Sequence, residues 1–120
     1  MKLSHITLSV KNLEESLHYY KNVLGLPIKA RFSPDADREI VFLGNEGETA
    51  IELIFDSSKI DSEFELQTVL GFSVESLQET REKFEQYDIP LGELIKPNPQ
   101  IEFFYTTDPD GQIIQFSKGL

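Results

Sequence analysis

Cysteine is absent from the 120-residue chain, which excludes disulfide frameworks, thiolate metal centres and cysteine nucleophiles. No apolar run approaches the roughly 18 residues that a membrane-crossing helix requires, so no membrane is expected as partner. Cations are scarce: 11 Lys and Arg stand against 21 Asp and Glu, for a formal charge of −10. Phosphate backbones and anionic lipid surfaces are repelled by that balance, and Lys29, Arg31 and Arg38 are too scattered to form a nucleic-acid stripe. A cationic small molecule would instead be attracted. Glycine-rich phosphate loops and dinucleotide fingerprints are missing. Two histidines, one of them on a solvated helix face, leave no basis for a Ser-His-Asp arrangement. Met1-Lys2-Leu3-Ser4 leads into a polar strand without an apolar targeting stretch, so a cytoplasmic address is expected.

What is present suffices for a packed core: 39% of residues are hydrophobic, nine of them Phe and four Tyr. The chain length fits one compact domain, residues 1–120. Within it the sequence is written twice. Ser9, Val10, Leu13 and Glu15 recur as Ser73, Val74, Leu77 and Glu79, an offset of 64. From Leu26-Pro27-Ile28 against Ile89-Pro90-Leu91 onward the offset is 63, pairing Phe42 with Tyr105, Ile51 with Ile114, Glu52 with Gln115 and Leu53 with Phe116. Two copies are too few for a solenoid and indicate a duplicated unit, with modules of about 1–60 and 65–120.

Each module opens with a strand. In Leu3 to Val10, alternation places Ile6, Leu8 and Val10 on one face and His5, Thr7 and Ser9 on the other; Val69 to Val74 divides in the same way. Asn12 with Glu15 and Ser76 with Glu79 carry the spacing of a helix N-terminus. The first helix is expected to bury Leu13, Leu17, Tyr20 and Leu24 and to stop at Gly25; the second buries Leu77, Thr80 and Phe84. Strands are expected at Ile28–Phe32, Ile40–Leu43 and Thr49–Phe55, and at Gly92–Ile95, Ile101–Thr106 and Gln112–Ser117. Gly44-Asn45-Glu46-Gly47 and Asp108-Pro109-Asp110-Gly111 read as turns, and Asp56 to Glu65 as the connection between modules. The fold class is α+β: two βαβββ modules whose mixed sheets cup a cleft.

The face opposite the helices carries the chemistry. Ala50 and Ile54 flank Glu52, and Ile113 precedes Gln115, so these polar groups sit in apolar company. A carboxylate there is costly unless it is paired or holds a cation. His5 and Val69 fill equivalent slots of the two copies, as do Glu52 and Gln115. An imidazole, a carboxylate and an amide oxygen are ligands for Zn, Ni, Mn or Fe, and three such donors plus water make an open, catalytic type of site. Phe32, Phe42, Phe103 and Tyr105 are available as aromatic walls, with Tyr105 the one expected to reach the cleft. His18, beside Glu14 and Glu15, reads as a surface residue, and Asp108 and Asp110 as turn formers.

His5 through Val10, Leu13-Glu14-Glu15-Ser16 leading to Tyr19-Tyr20, Val23 to Leu26, Ala50 to Leu53, and Asp108 to Gly111 ending in Ile114-Gln115 together resemble the vicinal oxygen chelate superfamily. That superfamily spans glyoxalase I, bleomycin-resistance and fosfomycin-resistance proteins, methylmalonyl-CoA epimerase and extradiol dioxygenases. The resemblance covers essentially the whole chain and implies four ligand slots, at His5, Glu52, Val69 and Gln115. The first two match the glyoxalase I pattern. Val69 stands where the family has His, and Gln115 where it has Glu, which argues against catechol ring cleavage and fosfomycin-type thiol transfer. The resemblance therefore implies a glyoxalase I-like lyase or isomerase on a small α-oxygenated substrate. In it His5, Glu52 and Gln115 would hold a divalent metal, and Glu52 would serve as catalytic base. The alternative is a metal-independent protein of the bleomycin-resistance type that sequesters a small molecule. A homodimer is implied, with Gln115 supplied either by the partner subunit or within the chain.

Overall fold

The computed structural model describes residue 3 and residues 5–59 and 68–118. The chain divides into two compact units, Met1–Glu65 and Leu66–Leu120. Residues 60–67, most of the connection expected between modules, lie outside the described residues, as do 1, 2 and 4 of the opening segment.

In the first unit, strand β1 (His5–Val10) leads to Asn12, whose extended backbone and side-chain oxygen cap helix α1 (Leu13–Leu17). That oxygen accepts the Glu15 N–H at 3.1 Å, satisfying one of the amides a helix start leaves open. The helix then widens into a π-helical segment, His18–Val23, with the Leu24 N–H reaching back to the Tyr19 carbonyl at 2.9 Å. This corrects the expected buried face. Leu13, Leu17 and Tyr20 are buried as expected, but the wider π turn rotates the stripe, so Tyr19 and Val23 are buried as well and Leu24 is only half-buried. Gly25 follows with φ at 77°, the left-handed stop expected there.

Strands β2 (Ile28–Phe32), β3 (Arg38–Leu43) and β4 (Ala50–Asp56) complete a four-stranded sheet in the order β1-β4-β3-β2. β1 runs parallel to β4, which requires a crossover and gives α1 its place; the other pairs are antiparallel. Leu8, Val10, Val41, Leu43, Ile51 and Leu53 share the helix-side face and are buried. A short 3₁₀ turn, Ser57–Lys59, follows β4.

The second unit repeats the order: β5 (Val69–Ser73), α2 (Leu77–Glu85), β6 (Ile95–Asn98), β7 (Ile101–Thr107) and β8 (Ile113–Lys118), arranged β5-β8-β7-β6. The Ser76 hydroxyl caps α2 by accepting the Glu79 N–H at 3.2 Å. Past the end of α2, Asp88 takes the left-handed conformation at φ 55°, which short polar side chains tolerate. Phe116 is the centre of this core, with its ring 5.1 Å from Phe84 of α2 and 5.6 Å from both Phe72 and Phe104.

The strand expected at Gly92–Ile95 is displaced: β6 begins at Ile95. Gly92 nevertheless donates its N–H to the Tyr105 carbonyl at 2.8 Å, and a Cβ there would lie 2.9 Å from that oxygen. The close approach admits only glycine. Pro97, which has no N–H, is tolerated because β6 is an edge strand. The molecule is thus α+β, built from two βαβββ units.

Candidate functional site

The sheet registers define the faces away from the helices. In the first unit Thr7, Glu52 and Phe42 form one cross-strand row, His5 and Ala50 a second, and Ser9, Ile54 and Ile40 a third. Phe32 stands opposite Ile40 and Ala30 opposite Phe42 on β2. Glu52 therefore projects among apolar neighbours, and its side chain is only 13% exposed while that of His5 is 45% exposed.

Two groups meet that carboxylate. The Thr7 hydroxyl donates to Oε1 at 2.5 Å, a short charge-assisted bond that offsets the loss of water around the anion. Nε2 of His5 lies 3.9 Å from the same oxygen. The His5 ring stands edge-on to Phe42 at 5.6 Å, and Phe42 stacks with Phe32 at 6.4 Å. Imidazole, carboxylate and an aromatic wall thus share one patch of about three strands.

The second unit carries the corresponding row with different chemistry. Gly71, Gln115 and Tyr105 occupy the positions of Thr7, Glu52 and Phe42, and Val69 with Ile113 those of His5 with Ala50. Gln115 donates Nε2–H to the Tyr105 hydroxyl at 3.4 Å. Tyr105 meets the edge of Phe103 at 5.6 Å. Val69 is 48% exposed and borders an apolar depression of about 460 Å³ with Tyr105, Thr107 and Ile113.

The remaining candidates are accounted for. His18 is exposed on its helix. Asp108 is buried, and its Oδ1 accepts the N–H groups of Asp110 at 2.8 Å and Gln112 at 2.9 Å, the work of a turn former. Arg31 pairs with Glu39 and with Glu14 at 2.9 Å, and Arg38 with Asp35 at 2.8 Å. The hydrogen bonds that Arg31 donates to Glu39 and then to Glu14 raise its pKa. These cations are held by neighbouring acids rather than gathered into a basic patch.

His5 and Glu52 come together and Gln115 takes the equivalent slot of the second unit. Thr7 is the participant whose role sequence reasoning missed. It shares the His5 face by alternation, but its bond to Glu52 depends on a pairing 45 residues away. Among the described residues no three His, Cys, Asp or Glu side chains gather as a metal cluster. The donors present do fit part of a coordination shell. Two donors bonded at about 2.0–2.2 Å to one tetrahedral ion stand about 3.4 Å apart, so His5 Nε2 and Glu52 Oε1, at 3.9 Å, would share an ion after a small side-chain closure.

Comparison with known proteins gives the setting. A family model described as Glyoxalase/Bleomycin resistance protein/Dioxygenase superfamily matches residues 2–116. A lactoylglutathione lyase of Neisseria meningitidis (serogroup A) is 28% identical over 123 residues, covering 97% of this chain and 89% of that protein. The uncharacterized protein YraH of Bacillus subtilis is 28% identical over 134 residues, covering all of both chains. The trypanothione-dependent glyoxalase I of Leishmania major superimposes with a TM-score of 0.84 at 20% identity, covering 99% of this chain and 87% of that one, which shows a shared fold. Among the described residues no helix is long and apolar enough to cross a membrane.

Proposed function

The chain belongs to the Glyoxalase/Bleomycin resistance protein/Dioxygenase superfamily, and from that premise we propose that it is a glyoxalase I-like lyase or isomerase of a small α-oxygenated substrate. One observation carries the reading: His5 and Glu52 face the same open patch at 3.9 Å, with the carboxylate anchored by Thr7. His5 and Glu52, with Gln115 as third donor, are the residues that would hold a divalent metal such as Zn, Ni, Mn or Fe. When bound, such an ion supplies Lewis-acid stabilisation of negative charge developing on adjacent substrate oxygens.

The chain's own groups divide the remaining work. The Thr7 hydroxyl bonds Oε1 of Glu52, which fixes that oxygen and leaves Oε2 to take the substrate proton. Holding and proton transfer then fall on different oxygens of one carboxylate, so the base need not release its anchor to act. Phe42 and Phe32 form the apolar side of the patch. A homodimer and a cytoplasmic address belong to the same reading.

A second reading, a metal-independent protein that sequesters a small molecule, is favoured by one specific feature. The ligand slot equivalent to His5 holds Val69, which borders an apolar depression instead of offering a donor. The test is metal content of tag-free protein together with turnover of a methylglyoxal–thiol adduct. On the first reading the protein takes up a divalent ion stoichiometrically, and Glu52→Gln lowers kcat by about 10²- to 10⁴-fold, the usual worth of a positioned base. No stoichiometric metal after supplying Ni, Zn or Mn, with no turnover, leaves the sequestering protein.

A further inference from the structure

The two units present the same row with its partners exchanged. In the first, the acid on β4 is held from β1 by the Thr7 hydroxyl, and an inert Phe42 ring lies on β3. In the second, the β5 position beside Gln115 is Gly71, and the polar partner has moved to the third strand as the Tyr105 hydroxyl. The exchange matters because an amide, unlike a carboxylate, has two unlike ends. Either oxygen of Glu52 accepts, whereas Gln115 accepts only through Oε1 and can equally turn its NH₂ group to the same place.

We infer that Tyr105 is the positioning residue for Gln115: its hydroxyl takes the Nε2–H, so the amide oxygen is the end offered to a cation. The inference rests on the metal-holding reading of Gln115. Three features of the second unit support it. Nε2 lies 3.4 Å from the Tyr105 oxygen, across the directly paired strands β7 and β8. Oε1 lies on the Gly71 side, 3.6 Å from where a Cβ would stand, so no hydroxyl on that residue competes for the amide oxygen as a Thr7 equivalent would. The Tyr105 ring is braced edge-on by Phe103 at 5.6 Å, which limits where its hydroxyl can go. Having accepted from the amide, the phenol directs its own proton away from Nε2.

The test combines two readouts on the full chain. In metal-free protein, the Gln115 side-chain amide pair in a ¹⁵N–¹H spectrum is identified by its loss in Gln115→Glu. It is expected to move in Tyr105→Phe, which removes one oxygen and keeps the ring. Cobalt(II) titration followed by its visible spectrum is expected to be about two- to tenfold weaker in Tyr105→Phe, the range of one neutral hydrogen bond. The same change made in Gln115→Glu is expected to have no effect, because a carboxylate needs no orienting. An unmoved amide signal, equal cobalt affinity, or an equal penalty in both backgrounds overturns the role of Tyr105. Wild-type protein that binds no cobalt overturns the metal-holding reading itself, and the role of Tyr105 toward a cation with it. Equal thermal unfolding of wild type and Tyr105→Phe separates these outcomes from misfolding.

Discussion

Glu52 is an anion set among Phe42, Ile40 and Ile54, and what makes it tolerable there is the Thr7 hydroxyl at 2.5 Å. Replacing Thr7 with valine keeps the shape and removes the donor, leaving a half-buried carboxylate oxygen without that bond. The expected cost is about 1–3 kcal/mol, read as a lower urea midpoint at unchanged slope. Thr7→Ser, which keeps the hydroxyl, is expected to hold wild-type stability. Alternation alone puts Thr7 between His5 and Ser9 on the polar face. Its pairing with Glu52 was not legible there, because it depends on β1 and β4 lying parallel and in register.

At the scale of elements, the strands and caps were the most readable parts. Asn12 and Ser76 are small polar residues before apolar periodic runs, and both cap their helices through side-chain oxygens. The π-helical segment was hidden because Tyr19, Tyr20, Val23 and Leu24 offer apolar groups to either phase of the helix. The start of β6 was obscured by Gly92, which makes a ladder-like bond to Tyr105 three residues before the strand begins. Where β8 meets α2, Phe116 is buried against three other rings. Phe116→Ala is therefore expected to destabilise the protein by about 3–5 kcal/mol in equilibrium unfolding. Its counterpart in the first unit is Leu53, a fully buried aliphatic side chain, so the equivalent position is filled by different chemistry on one backbone plan.

For the whole molecule, a charge of −10 means that mild acidification relieves self-repulsion, while stronger acidification removes particular carboxylate interactions. Two aspartates set where the loss begins. The Arg38 side chain, by hydrogen bond first, holds the Asp35 carboxyl below its ordinary value, and the Ser58 hydroxyl does the same for Asp56. A carboxyl depressed on folding contributes stability that is complete above its unfolded pKa. That contribution is lost as pH falls through the lower folded value. Both groups are exposed, so the contribution is small. The sharper measurement is a carboxylate NMR titration, in which Arg38→Gln is expected to raise the Asp35 midpoint toward the ordinary aspartate value. The duplication itself was visible as a repeating pattern of residues, and the paired registers carry it through both sheets. The divergence between Glu52 and Gln115 could be read from the sequence, but not the partners that serve each of them.

The described strand pairings run β1-β4-β3-β2 and β5-β8-β7-β6, and none of them links one set to the other. Scission of the backbone anywhere between residues 59 and 68 would therefore leave every one of these ladders whole. Each fragment would keep its own capped helix and its own full complement of interstrand bonds. The duplicated halves are for this reason natural break-points for split-gene expression, for circular permutation, and for chimaeras that graft one half onto a relative's other half.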